Sequence, residues 1–238
     1  MKPKTHLKFI TLVFLVGFSL KTFSISKTKT IMNTKTEHIG LLVIMKAKAG
    51  KAEAVKNFLL GGLPLVNDEA ETVSWFAFQI DENTYGIYDT FAVESGRTAH
   101  LKGEVAKALL ANASELLENF NAETDIKAIN VVAANHKFGV QNKGLLVIMN
   151  AKKGMEENLE AFLNVGKTLV NEEPNTLSWY AIKINTSTYA IFDTFTTDAG
   201  RDAHLTGAVA SALMQNAPVL LDGFDVSAIQ KIDLIASK

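Results

Sequence analysis

Gly40-Leu41-Leu42-Val43-Ile44-Met45 returns 104 residues later as Gly144-Leu145-Leu146-Val147-Ile148-Met149. The same offset carries Ser74-Trp75 onto Ser178-Trp179 and Asp89-Thr90-Phe91 onto Asp193-Thr194-Phe195. It also carries Gly96-Arg97-x-Ala99-His100-Leu101 onto Gly200-Arg201-x-Ala203-His204-Leu205. Roughly half the positions from Gly40 to Phe120 are identical without a gap, and a one-residue deletion then brings Ile129 onto Ile232. A period this long, present twice, means a duplicated domain and not a solenoid.

Within each copy the hydrophobic period changes in a fixed order. Leu41 to Ala47 is an apolar run broken only by Lys46, as in a strand buried on both faces, and Gly50 ends it. Lys51 to Val66 places Ala54, Val55, Phe58, Leu59 and Leu65 at helical spacing. Thr72–Ile80 and Tyr85–Phe91 are rich in β-branched and aromatic residues, with the turn residues Asp81-Glu82-Asn83 between them. A second helix, capped at Glu94 or Ser95 and at Asp198 in copy two, carries His100, Leu101, Val105, Leu109, Leu116 and Leu117. Ile126 to Ala133 closes the copy as a strand. The order β-α-β-β-α-β is the ferredoxin-like split arrangement, an α+β fold. One face of such a sheet takes the helices, and the other must be buried too. The expectation is that residues 36–134 and 144–238 form two modules whose sheets meet as one intramolecular barrel. The polar segment 135–143 links them, and the chain is then able to stand as a monomer.

Composition narrows the chemistry. Of 238 residues, 47 % are hydrophobic and 21 % charged, as in a globular protein. The net charge of −1 gives no footprint for nucleic acid. The absence of cysteine excludes disulfides, thiolate catalysis and Cys-ligated metals. The five histidines have no metal-ligand spacing, and no phosphate loop, dinucleotide fingerprint or nucleophile elbow is present. Lys2, Lys4 and Lys8 precede a short apolar run from Phe9 to Leu20. That pattern reads residues 1–35 as a secretory leader, too short in its apolar part for a spanning helix, and places the protein in the periplasm or outside the cell. A translation start at Met32 would instead leave it cytoplasmic.

The first-strand run, Trp75, Asp89-Thr90-Phe91 and Gly96-Arg97-x-Ala99-His100-Leu101-x-Gly103, with their counterparts in copy two, resemble the antibiotic biosynthesis monooxygenase family. That family belongs to the dimeric α/β-barrel superfamily and includes quinol monooxygenases. The resemblance covers nearly everything after the leader. It implies oxidation of a small aromatic partner, such as a hydroquinone or anthrone, by molecular oxygen with no cofactor, neither metal nor flavin. An electron-rich phenolate passes an electron to oxygen itself. The protein need only supply a dry pocket, a base, and a donor or cation for the developing charge. Haem-degrading relatives carry an Asn on the first strand. Copy one has none there, and copy two has only Asn150 near the strand end.

The site expected from these residues has His100 and His204 as bases, Arg97 and Arg201 as anion holders, and Trp75, Trp179, Tyr85 and Tyr189 as binding walls. Strand alternation puts Asp89 on one face with Tyr85, Ile87 and Phe91, where it would orient His100 or pair with Arg97, and Asp193 would do the same in copy two. Tyr180 in place of Phe76 would add a hydroxyl to the second site. The competing reading is structural: packed aromatics, a buried ion pair, and a binding protein of the same fold without catalysis.

Overall fold

The computed structural model describes residues 36–137 and 139–238, so the leader lies outside the described residues. The first half runs β1 (Ile39–Lys46), α1 (Ala52–Asn67), β2 (Thr72–Gln79), β3 (Thr84–Phe91), α2 (Glu94–Leu101), α3 (Glu104–Leu116), a short α4 (Ala122–Asp125) and β4 (Ile126–His136). The second runs β5 (Lys143–Asn150), α5 (Glu156–Asn171), β6 (Thr176–Lys183), β7 (Thr188–Phe195), α6 (Asp198–Leu205), α7 (Ala208–Leu220), a 3-10 turn (Val226–Ala228) and β8 (Ile229–Ser237).

The eight strands close into one antiparallel barrel in the order β1-β3-β2-β8-β5-β7-β6-β4. The last strand of each half does the joining. β4 pairs with its own β1 (Gly40↔Ile129) and then with β6 (Ala134↔Tyr180). β8 pairs with β5 (Gly144↔Ile232) and then with β2 (Ala77↔Ala236). Closure leaves no sheet edge unpaired. β4 therefore extends to His136, into the segment read as linker, because residues 134–136 find partners on β6.

Alternation along each strand sorts the core into three clusters. Inside the barrel lie Leu42, Phe76, Phe78, Tyr88, Ile129 and, from the second half, Leu146, Tyr180, Ile182, Phe192 and Ile232. Aromatic contacts cross between the halves there, with Tyr88 edge-on to Tyr180 at 4.9 Å and Phe76 at 5.2 Å from Phe192. Outside, α1 lays Val55, Leu59 and Val66 over Trp75, Ala77, Tyr85 and Ile87, and α3 adds Val105 and Leu109. The second half repeats this layer around Trp179.

Two local expectations are corrected. The second helix is two helices, α2 and α3, broken at Lys102-Gly103, where Gly103 adopts an extended conformation and caps α3. A Cβ on Gly103 would sit 2.6 Å from Glu69 Oε1, so the break makes room for the Glu69 carboxylate. The caps of the preceding helices also lie one residue earlier than expected. Val93 occupies the position in the first half, and Thr197 caps α6 by accepting from the Gly200 amide at 3.2 Å.

Candidate functional site

The period-two reading of β3 places Asp89 on the helix-facing side, and the last turn of α2 brings His100 down onto it. His100 Nε2 lies 3.2 Å from Asp89 Oδ2, and its Nδ1 lies 2.6 Å from Oε2 of Glu69, in the loop after α1. Thr72 Oγ1 donates to the same Glu69 oxygen at 2.6 Å, and the Phe91 ring sits 5.3 Å from the imidazole. The second half builds the same triad: His204 Nε2 to Asp193 Oδ2 at 3.1 Å, Nδ1 to Glu173 Oε2 at 2.5 Å, and Thr176 Oγ1 donating to Glu173 at 3.0 Å. All four histidine and aspartate side chains are buried.

Both ring nitrogens thus face carboxylates. Burial works against a charged imidazole, but the hydrogen bond and charge of Asp89, and then those of Glu69, outweigh it and push His100 up to about 9. The same balance pushes His204 up to about 10, with Asp193 the stronger partner. Burial raises Asp89 and Asp193 against the opposing pull of their histidines. At neutral pH each triad holds an imidazolium, which the C-terminal end of its helix also favours. A protonated ring with no free nitrogen is poorly placed to act as the base expected of it. In the first half Asp89 Oδ1 and Glu69 Oε1 are unpartnered; in the second, Asp193 Oδ1 is, whereas Glu173 Oε1 accepts from the Val209 amide at 3.4 Å.

One cavity adjoins the first triad and a second lies beside it. A cleft of about 340 Å³ is lined by Glu69, Thr72, His100 and Leu65. Across Leu65 lies an apolar cavity of about 230 Å³ beneath Trp75, walled by Phe58, Ile87 and Leu109, with Asn112 at its rim. The Trp75 indole N–H is buried and has no acceptor.

The other expected residues lie elsewhere. Arg97 does not reach Asp89. It grips Glu94 of its own first turn at 2.5 Å and the Gly40 carbonyl at 3.5 Å. Arg201 does likewise with Asp198 and with the carbonyls of Gly144 and Ile232. Each arginine clamps its helix to the sheet. The Tyr85 hydroxyl donates to the Ala52 carbonyl at 3.0 Å and that of Tyr189 to the Glu156 carbonyl at 3.2 Å, at the starts of α1 and α5. The Tyr180 hydroxyl is not at the second site. Being one residue from Trp179, it points into the barrel.

There it meets a cluster the sequence reading missed. Glu37, just before β1, accepts from Ser74 at 2.7 Å, from Tyr180 at 3.2 Å and from Thr90 on one oxygen, and its other oxygen lies 2.5 Å from His136 Nε2. Burial raises this carboxyl, but His136 and the hydroxyls outweigh that and hold it below the usual value. At the equivalent position Gln141 accepts from Ser178 and Thr194. Glu69 and Glu173 were missed too. Their one signal was an acid kept in both copies where the next two residues, Ala70-Glu71 and Pro174-Asn175, differ.

Each half also completes the other's site. Lys238, after β8, donates to the carbonyls of Val66 and Glu69 at 2.8 and 2.6 Å, and Lys137, after β4, donates to those of Val170 and Glu173. A cation there satisfies the helix end and fixes the loop that carries the triad acid.

No protein-family model matches the sequence, and no curated protein is significantly similar to it. Among solved structures, a candidate monooxygenase from Fusobacterium nucleatum superposes with a TM-score of 0.70 over 85 % of this chain and 94 % of its own, at 15 % identity. The two chains share one fold. An anthrone oxidase-like protein has the same monooxygenase-like fold, with a TM-score of 0.55 at 10 % identity over 86 % of this chain and 94 % of its own. A protein of unknown function from Nitrosomonas europaea is 40 % identical over 43 % of this chain and 97 % of its own, with a TM-score of 0.40. Among the described residues, no helix is long and apolar enough to cross a membrane.

Proposed function

We propose that this protein is a cofactor-independent monooxygenase acting on a small hydroquinone-type aromatic. The observation that carries the reading is the buried Asp89–His100–Glu69 triad beside a cleft that shares Leu65 with an apolar cavity. The aromatic ring sits beneath Trp75 and its hydroxyl reaches the cleft. Glu69, the triad carboxylate lining that cleft, takes the phenolic proton. The imidazolium of His100 holds that carboxylate in place and offsets negative charge as the phenolate reduces oxygen. A ring C–H bond is replaced by a C–O bond to one oxygen atom. The other oxygen atom leaves as water, so that a hydroquinone and dioxygen give a hydroxyquinone and one water. The substrate supplies all four electrons, and the balance needs no external reductant.

Oxygen uptake with substituted hydroquinones tests this. Wild-type protein is expected to consume oxygen and substrate one to one. Because the second half repeats the triad with Glu173, the double variant Glu69→Gln/Glu173→Gln is expected to lose roughly 10²- to 10⁴-fold in rate, the range for a positioned base. Uptake unchanged in the double variant overturns the mechanism.

A second reading, a binding protein without catalysis, is favoured by the occupation of both imidazole nitrogens. Saturable binding without oxygen uptake selects it.

A further inference from the structure

The apolar cavity of the first half has eleven lining residues. Carried forward by 104 positions, ten are the same residue in the second half, among them Trp75/Trp179, Ile87/Ile191 and Asn112/Asn216. The single exception is Gly61, replaced by Val165. Gly61 sits on α1, and a Cβ built there meets nothing within 4 Å, so the position faces open space. Val165 on α5 keeps most of its surface exposed, as expected of a side chain at a rim.

The polar groups are also held in common. Both indole N–H groups are buried without an acceptor. The Trp75 edge next to that nitrogen, Cζ2 and Cη2, lies 3.3–3.4 Å from where a Cβ on Gly62 would be, turned towards α1. Asn112 and Asn216 each spend their amide nitrogen on a carbonyl four residues back, at 2.8 Å, which leaves the amide oxygen able to accept. Both halves therefore offer one donor and one acceptor in an apolar surround. That pattern fits a small aromatic bearing a hydroxyl. A dry cavity of roughly 150 Å³ takes benzene, so about 230 Å³ in the first half has room for a second ring or a substituent.

We infer that position 61/165 is the size-selecting residue of a duplicated pocket. Gly61 lets the first half take two-ring phenols, and Val165 restricts the second to single-ring ones. This rests on the binding of a hydroxylated aromatic beneath Trp75 proposed above and adds which half takes which ligand. The other lining residues are the same on both sides, so the discrimination comes from the isopropyl group alone. One extra methylene in an apolar pocket already separates ligands by roughly 10- to 200-fold.

The chain's two tryptophans make it its own reporter. Their indole ¹H–¹⁵N resonances, assigned with Trp75→Phe and Trp179→Phe, are followed while full-length protein is titrated with phenol and with 2-naphthol. Phenol is expected to shift both resonances. 2-Naphthol is expected to shift Trp75 with at least tenfold tighter binding than Trp179. Gly61→Val should remove that preference, and Val165→Gly should give Trp179 the naphthol response of Trp75. Val is native at this helix position in the other half, so Gly61→Val is expected to fold. Equal naphthol affinity in the two halves of wild type, or no change in either variant, overturns the size gate alone. If neither indole responds to either probe, the pocket reading falls and the gate falls with it.

Discussion

His136 Nε2 lies 2.5 Å from Glu37 Oε2, joining the last residue of β4 to the residue that leads into β1, 99 positions apart. Glu37 is buried and His136 is half-exposed, so the pair links the hydroxyl cluster inside the barrel to solvent. The second half differs at the acid. Gln141 stands where the first half has Glu37, and it carries no charge.

That asymmetry makes Glu37→Gln the informative change. Glutamine keeps an acceptor for Ser74, Thr90 and Tyr180, as Gln141 does for Ser178 and Thr194, and loses only the attraction to His136. A cost of about 1 kcal/mol is expected, against about 2–4 kcal/mol for Glu37→Leu, which strands three buried hydroxyls. The carboxyl is held below its ordinary value, so the stability it adds is present above about pH 4.5 and is lost as pH falls through the folded value. Urea midpoints between pH 3 and 6 should flatten in Glu37→Gln. An unchanged acid slope would remove Glu37 as its source.

The triads act in the opposite direction. His100 and His204 are pushed up to about 9 and about 10 from 6.5. The stability they contribute is complete below about pH 6.5 and is lost as pH rises through those values. Denaturation midpoints should therefore fall between pH 7 and 10, and the fall should shrink in His100→Gln. That variant should itself cost about 3–5 kcal/mol, because two carboxylates lose their shared partner. Imidazole resonances titrating near pH 6.5 would contradict the imidazolium assignment.

Phe78 and Gly86 pack as a matched pair, and the second half solves the same contact with Ile182 and Ala190. A Cβ on Gly86 would lie 2.2 Å from the Phe78 ring. Gly86→Ala alone should cost about 1–3 kcal/mol by overpacking. Phe78→Ile alone should cost about 1–3 kcal/mol through the space it leaves. The double variant should cost less than the sum by about 1 kcal/mol or more, a coupling expected only of residues in contact. Additive costs in chemical denaturation would show that the two positions relax independently.

Lys137 ties β4 of the first half to the end of α5 in the second. Lys137→Met keeps the aliphatic stem and removes the donor. A loss of about 1 kcal/mol is expected, and more telling is faster hydrogen exchange confined to the loop after α5. Exchange that stays unchanged around Glu173 would show that the loop holds itself.

What the sequence decided by itself is what depends on period and repetition. The 104-residue offset divided the chain. Alternation along β3 put Asp89 beside Ile87 and Phe91, and that face received His100 because a strand residue has only two faces to choose from. The same rule, applied to Trp75, required Tyr180 to face away from Trp179, which the expected extra hydroxyl at the second site overlooked. Tertiary structure alone decided the rest. Glu69 is a loop residue with no period, and it meets His100 across 31 positions where α2 turns His100 inward just before it stops at Lys102-Gly103. The Glu37–His136 pair exists because β4 runs on past its own sheet to hydrogen-bond with β6. The second contact depends on how the barrel closes, and closure is a property of all eight strands at once, which no local window of sequence contains.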